Sequence, residues 1–321
     1  MSDEPGVLSP PVAGDVVAPA AWIDRVAAVE WCPDALRSML DDAFIASSSV
    51  EPCVIASQSA SWQVLGASLR GRSHAHRAEH RDDAIASLAT DDLLLLAVAD
   101  GAGSSALSRI GAAVTAQLVV SRTAARFAAA ADGDVVARLG TAMAHAVHDA
   151  ALRLHELASA ASVSPVTLRT TLILVAITAD VLLVSQVGDG AVLVQRRDGT
   201  VQRVGAQRAS SWAGEVTCFV PDACAMTEAA ALRRVDAADV TLVGLLTDGI
   251  DDPFHPLEQS GAALVEQWRT GTTAPIGTAR QPVIGSVLGN AAALQQWITF
   301  EQRGEVDDRS LLLAWRADHS T

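Results

Sequence analysis

The sequence contains no lysine, so its 23 lysine-plus-arginine cations are all arginine. That absence excludes a Schiff base, a lysine nucleophile and a Walker-type phosphate loop. Positive charge is scarce altogether. Against those 23 cations stand 37 aspartates and glutamates, a formal net charge of -14. An acidic surface repels phosphate backbones and anionic lipid, which argues against nucleic-acid and membrane partners. Cysteine is sparse: Cys32, Cys53, Cys218 and Cys224 form no C-x-x-C pair. A chain of 321 residues is long enough to fold without disulfide staples, so free thiols in a reducing cytosol are expected. No apolar run approaches the roughly 20 residues of a membrane span. The opening Met1-Ser2-Asp3-Glu4-Pro5 lacks the positive region and apolar core of a signal peptide. A cytoplasmic protein is expected, its mean hydropathy of +0.27 owed to alanine-rich helices.

What is present centres on residues 93–111. Leu93 to Ala99 is an apolar run bounded by Asp91-Asp92 and by Asp100, the length of a strand buried on both faces. It stops at Asp100-Gly101, and a helical pattern follows through Ala112, Leu118 and Val119. A carboxylate at the end of a buried strand is costly unless compensated, and a metal ion is a common compensator. A glycine after it lets the backbone carbonyl approach the same ion.

Along the rest of the chain, residues 1–20 read as a tail, 21–45 as a helix and 47–58 as a linker. Residues 1–55 are therefore expected to form an N-terminal extension to a main domain spanning 56–321. A strand is predicted over 61–69, then a polar loop over 71–81 crowded with His and Arg. Two alanine-rich helices are predicted at about 105–130 and 134–160, with Asp132 and Asp134 as caps. Apolar stretches at 170–177, 181–187, 191–195 and 200–204 predict an antiparallel meander, with Arg197-Asp198-Gly199-Thr200 as its clearest turn. Residues 205–237 read as irregular, 241–247 as a buried strand, 257–269 and 291–300 as helices, and 310–315 as a last strand.

Three apolar strands thus end on aspartate followed by glycine: Asp100-Gly101, Asp189-Gly190 and Asp248-Gly249. Asp307-Asp308 precedes the last strand, and Asp82-Asp83 closes the polar loop. One such dipeptide is ordinary turn chemistry. If the strands share one sandwich, the carboxylates meet at one edge and repel one another without cations. All-oxygen ligation suits Mg²⁺ or Mn²⁺.

The ordered set resembles the metal-dependent serine/threonine protein phosphatases of the 2C type, in particular their bacterial branch. Ser73-His74 leading to Asp82-Asp83-Ala84 is similar to the first family motif, and Val98-Ala99-Asp100-Gly101-Ala102-Gly103-Ser104 to the second. Gly188-Asp189-Gly190, Thr247-Asp248-Gly249 and Asp307-Asp308-Arg309-Ser310 follow in order, with Thr170-Thr171 in the place of the family's Ser/Thr-Thr strand. The resemblance implies an α/β sandwich of two antiparallel sheets flanked by helices. It implies hydrolysis of phosphoserine or phosphothreonine on proteins by water bridging two Mn²⁺ or Mg²⁺ ions. Asp100 and Asp248 would be the catalytic pair, and Asp83, Asp100, Gly101, Asp248 and Asp307 the metal ligands. Asp82 would be an alternative to Asp83, Asp189 a ligand of a third ion, and Asp308 a further ligand. For phosphate, Arg72, His74, Arg77 and Arg81 compete; Arg77 is favoured and His74 kept. A phosphorylated protein and a cognate kinase are the implied partners, with 205–237 as a variable flap and 251–306 as an insertion. Where some members have a histidine after Asp-Gly, this chain has Ala102.

Three rival readings remain. One is a non-catalytic binding module of the same fold. A dinucleotide-binding oxidoreductase is suggested by Gly101-Ala102-Gly103-Ser104-Ser105-Ala106. No acidic residue lies between Gly101 and Ala131, whereas that fingerprint expects one roughly 20 positions on. His74, His76 and His80 could take zinc adventitiously, while His145, His148 and His155 share one helix face and read as solvated. The tryptophans at 22, 31, 62, 212, 268, 297 and 315 read as core and cap residues.

Overall fold

A computed structural model describes residues 36, 39–40, 53–59, 61–130, 133–205, 218–271, 276–279 and 285–316. Its strands are β1 (Cys53–Gln58), β2 (Trp62–Leu69), β3 (Ala84–Ala89), β4 (Leu94–Ala99), β5 (Leu172–Ile177), β6 (Val181–Val187), β7 (Ala191–Arg196), β8 (Val201–Val204), β9 (Arg233–Asp236), β10 (Val240–Leu246) and β11 (Arg309–Arg316). The helices are α1 (Arg72–His76), α2 (Ser108–Ala129), α3 (Val135–Ala160), α4 (Ala225–Ala230), α5 (Asp248–Asp251), α6 (Leu257–Thr270) and α7 (Ala291–Trp297).

The strands form a six-stranded sheet, β1-β2-β11-β10-β7-β8, and a five-stranded sheet, β3-β4-β5-β6-β9. Every described pairing within them is antiparallel. Side chains alternate across each strand, and in the central strands both faces are buried. In β4, Leu94, Leu96 and Val98 point between the sheets, against Ile173, Val175, Val243 and Leu312. Leu95, Ala97 and Ala99 point outward, beneath Ile110, Val114, Met143 and Leu154 of α2 and α3. On the far side, Leu193, Leu242, Leu311 and Leu313 pack against Leu264, Trp268 and Trp297 of α6 and α7. Three apolar layers separate four structural ones. This is why the central strands read as unbroken apolar runs rather than as alternating ones. The expected sandwich of two antiparallel sheets flanked by helices is the architecture of the chain.

Several elements differ from the sequence expectation. The 47–58 linker ends in β1, which pairs with β2 along Cys53↔Ser68 to Gln58↔Gln63; the expected domain boundary at 55/56 falls inside this strand. β3 was not foreseen, because Ala84 to Ala89 is short and rich in small residues. Residues 72–76 of the polar loop form the single turn of α1. The meander is two hairpins in different sheets. β5–β6 belongs to the smaller sheet and β7–β8 to the larger, so Gly188-Asp189-Gly190 is a crossing between sheets and not a hairpin turn. Both its glycines have positive φ, +79° and +87°, which a side chain would resist. Part of the irregular 205–237 stretch is α4 and edge strand β9. Cys218 and Cys224 are joined by a disulfide, which overturns the expectation of free thiols for that pair; among the described residues Cys53 is free.

Asp134 caps α3, accepting from the Ala137 N–H at 2.9 Å, and Gly199 supports the β7–β8 turn with φ +85°. His145, His148 and His155 are exposed on α3, and Trp62, Trp268, Trp297 and Trp315 are buried. Asp132, Trp22, Trp31, Trp212, most of the 21–45 helix and residues 206–217 lie outside the described residues. Among the described residues no helix is long and apolar enough to cross a membrane.

Two glycines test how closely these layers meet. A Cβ at Gly111 of α2 would overlap the carbonyl oxygen of Leu168, backbone that cannot rotate away. At Gly140 of α3 it would meet only Leu232 Cδ1, at 2.8 Å, the far end of a flexible side chain. Gly111→Ala is expected to destabilise the fold by about 1–3 kcal/mol. Gly140→Ala is expected to fall between neutral and about 1 kcal/mol stabilising, through helix propensity. Chemical denaturation of the two variants checks the contrast.

Candidate active site

One end of the sandwich collects the acidic residues, and strand register explains how. β3 and β4 pair with Ala84 opposite Ala99, which places Asp83 beside Asp100 just beyond them. β10 and β11 pair through Leu246↔Leu311, so Thr247 comes level with Ser310, and the Asp248-Gly249 corner lies against Asp308-Arg309, with Asp307 just before them. The crossing at Asp189 runs past the same end. Asp100 comes from one sheet and Asp248 from the other, and their carboxyl groups hydrogen-bond to each other.

Backbone and hydroxyl groups hold these carboxylates in place. The Asp100 carbonyl accepts from Thr171 N–H and Thr170 Oγ1, both at 2.8 Å, and its N–H donates to Thr171 Oγ1 at 3.1 Å. Gly101 is bridged to Thr170, and a Cβ there would stand 2.8 Å from the Asp82 carbonyl oxygen. Asp83 Oδ2 accepts from Thr247 Oγ1 at 2.9 Å and Ser310 Oγ at 2.7 Å. Ser310 Oγ also lies 2.7 Å from Ser68 Oγ. Asp82 accepts from Ser108 Oγ at 2.8 Å. Asp307 accepts from the Asp308 N–H at 2.9 Å. Near Asp189, the Gly188 N–H donates to Glu228 at 2.9 Å. Ser68, Ser108 and Glu228 were missed in the sequence. A lone hydroxyl in a buried strand or helix carries no pattern that distinguishes it.

Of the competing phosphate candidates, His74 brings its side chain to two carboxylates of the cluster. Its Nδ1 lies 2.9 Å from Asp308 Oδ1 and its Nε2 3.7 Å from Asp82 Oδ2. Arg77 is exposed and engages Glu79 and Ser73, each at 2.6 Å. Arg72 lies 3.9 Å from Glu301, and buried Arg81 donates to the Asp83 carbonyl at 3.1 Å.

The electrostatics follow from crowding. Burial raises the Asp82 carboxyl to about 6, with the Asp308 charge adding to it against the pull of His74. Burial and the charges of Asp308 and Asp307 raise Asp83 to about 8, although two hydroxyls oppose this. Asp100 and Asp248 keep some residue surface, yet their carboxyl groups are withdrawn from water and face one another. Both are pushed well above the ordinary range, by burial first and then by neighbouring aspartates. Asp307 is an exposed residue, yet its carboxyl is raised too, by partial withdrawal from water and by the Asp308 charge, against the hydrogen bond from the Asp308 N–H. Burial would lower His74, but its hydrogen bond to Asp308 and the surrounding carboxylates outweigh that and lift it to about 9.

Such a set retains protons or takes up cations. Asp83 Oδ1 and Asp248 Oδ1 are buried with no hydrogen-bond partner. All-oxygen donors of this kind, left without hydrogen-bond partners, fit a hard divalent cation. As they stand, no three His, Cys, Asp or Glu side chains among the described residues converge into a ready ligand set. Asp100 and Asp248 approach one another by sharing a proton in their hydrogen bond.

These shifts all run upward on folding, so the folded chain binds more protons than the unfolded one between about pH 4 and 9. The stability contributed by protonated Asp82, Asp83 and His74 is present at low pH and is lost as pH rises through about 6, 8 and 9. In a chelating buffer the melting temperature is expected to fall from pH 5.5 to pH 8.5, a trend that differential scanning calorimetry reads directly.

The chain matches the family model for protein phosphatase 2C over residues 70–282. Among solved structures, it is similar to serine-threonine phosphatase 2C from Toxoplasma gondii, at 10% identity and a TM-score of 0.54, over 83% of this chain and 99% of that one. A sex determining protein of C. elegans aligns at 15% identity and a TM-score of 0.53, over 78% of this chain and 64% of that one. Serine/threonine phosphatase Stp1 from Staphylococcus aureus aligns at 12% identity and a TM-score of 0.51, over 84% and 96%. No curated protein matches the chain. These structures share its fold, and the family match covers more than half of its length, from the loop before β3 past α6: the chain belongs to the protein phosphatase 2C family.

Proposed function

We propose that this chain hydrolyses phosphoserine or phosphothreonine on protein substrates with the help of two divalent cations held by its acidic cluster. The observation that carries the reading is the meeting of Asp83, Asp100, Asp248 and Asp307 at one end of the sandwich, with buried oxygens of Asp83 and Asp248 left unpartnered. Mn²⁺ or Mg²⁺ bound there would lower the pKa of a water and place positive charge against a phosphoryl group. Asp100, between the two sheets, would hold both ions, with the Gly101 carbonyl beside it. Asp83 would serve one side, Asp248 and Asp307 the other. Asp82 stands next in line, and Asp189, whose charge acts on Asp248, would serve a third ion.

The chain's own groups set the rest. His74 carries positive charge at the edge of the cluster, where it can attract phosphate. Arg77 would have to leave Glu79 to do so. Ala102, buried after Asp100-Gly101, has no proton to give a leaving alkoxide, so a metal-bound water or another group of the site would have to supply it. Among the described residues cysteine takes no part, since Cys218 and Cys224 are paired and Cys53 lies on edge strand β1. Residues 205–237 and 251–306 would shape substrate choice, and a kinase acting on the same proteins would be the natural counterpart.

Phosphate release from a phosphothreonine peptide and from p-nitrophenyl phosphate is the test. Turnover is expected to require Mn²⁺ or Mg²⁺ and to stop with EDTA. Asp100→Asn is expected to lower kcat by more than about 100-fold, since even residues behind the ligands are worth 10- to 100-fold. Metal binding without turnover on either compound would favour a non-catalytic module. Absence of both would refute the proposal.

A further inference from the structure

Resting on the reading above, we propose that Asp308 is a positioning residue and not a metal ligand: it clamps the segment Gly71–Asp82 onto the start of β11 and so sets where Asp82, Asp83 and Asp307 stand. Asp308 is 2% exposed. Its Oδ1 accepts from the Gly71 N–H at 2.6 Å and from His74 Nδ1 at 2.9 Å. Its Oδ2 accepts from the Asp82 N–H at 2.5 Å. Two donors fill Oδ1 and a third occupies half of Oδ2. A carboxylate so engaged has little left for an ion, in contrast to Asp83 and Asp248 with their unpartnered oxygens.

The backbone reinforces this clamp. Ser73 N–H donates to the Val306 carbonyl at 2.9 Å, and a Cβ at Gly71 would overlap the Asp307 carbonyl. A Cβ at Gly249 would overlap the carbonyl oxygen of Asp308 itself. Asp308 therefore grips the 71–82 segment with its side chain and packs its main chain against the Asp248-Gly249 corner. Two residues on, Ser310 donates to Asp83. The acidic pair 82–83 is thus held from both of its residues by one strand start. An isosteric amide cannot replace the carboxylate without loss. In either orientation the NH₂ of an asparagine would face a backbone N–H, that of Gly71 or that of Asp82.

The experiment is calorimetric Mn²⁺ titration of the full chain, with amide hydrogen exchange at Gly71 and Asp82, in wild type, Asp307→Asn, Asp308→Asn, His74→Gln and the His74→Gln/Asp308→Asn double variant. Asp307→Asn is expected to bind one ion fewer. Asp308→Asn is expected to bind as many ions as wild type, with the dissociation constant raised about 10- to 100-fold and faster exchange at both amides. His74→Gln is expected to weaken binding less, and the double variant no more than Asp308→Asn alone, because both act through one hydrogen bond. An ion lost in Asp308→Asn would make it a ligand and overturn the proposal. Unchanged affinity and protection would overturn it equally. A wild-type chain that binds no Mn²⁺ would instead remove the dimetal reading, and this proposal with it.

Discussion

Crowding negative charge where water is thin is the constraint on which the structure depends. Two unit charges 4 Å apart repel by about 4 kcal/mol at an effective dielectric of 20, and here Asp82, Asp83, Asp100, Asp248, Asp307 and Asp308 share one end of the sandwich. Left to itself such a corner would swell. It is held by what surrounds it: the hydroxyls of Thr247, Ser310 and Ser108, the amides of Gly71 and Asp82, and the imidazole of His74. Each donates to a carboxylate and lowers the cost of keeping it there.

The four-layer build makes that corner possible. The central strands are covered on both faces, so β4 is apolar over its whole length and β10 carries only one polar residue, Thr241, before it emerges. Glycine serves there for space as well as for φ. Gly101 and Gly249 bring the backbone up against Asp82 and Asp308, and no residue with a Cβ fits at that distance. Gly188 and Gly190 let the chain pass from one sheet to the other while carrying Asp189 past the same end.

Much of this was legible because local chemistry and global role coincide. A buried strand needs six or seven apolar residues, and a carboxylate at its end cannot be hidden in such a run, so β4 and β10 declared themselves with their aspartates. The long helices declared themselves through alanine periodicity, and Asp134 as a cap. β1, β3 and β9 did not. Polar, small or charged residues interrupt their few apolar ones, and they are strands because β2, β4 and β6 offer them hydrogen bonds. The meander misled for a related reason: four consecutive strand patterns look alike whether they pair in one sheet or are shared between two. The Cys218–Cys224 bridge was hidden as well, since six residues of separation matches no recognised spacing and only the turn leading into α4 brings the sulfurs together.

By itself, then, the sequence determined which carboxylates flank apolar strands, in what order, and that no lysine chemistry serves them, because burial and residue type are written locally. Only the tertiary structure decided which of those carboxylates keep a free oxygen and which are spent. Asp307 and Asp308 are adjacent and identical in type. Gly71, His74 and Asp82, more than 200 positions away in the chain, converge on the second, and no sequence-local rule encodes a set of hydrogen bonds that exists only once two sheets are packed.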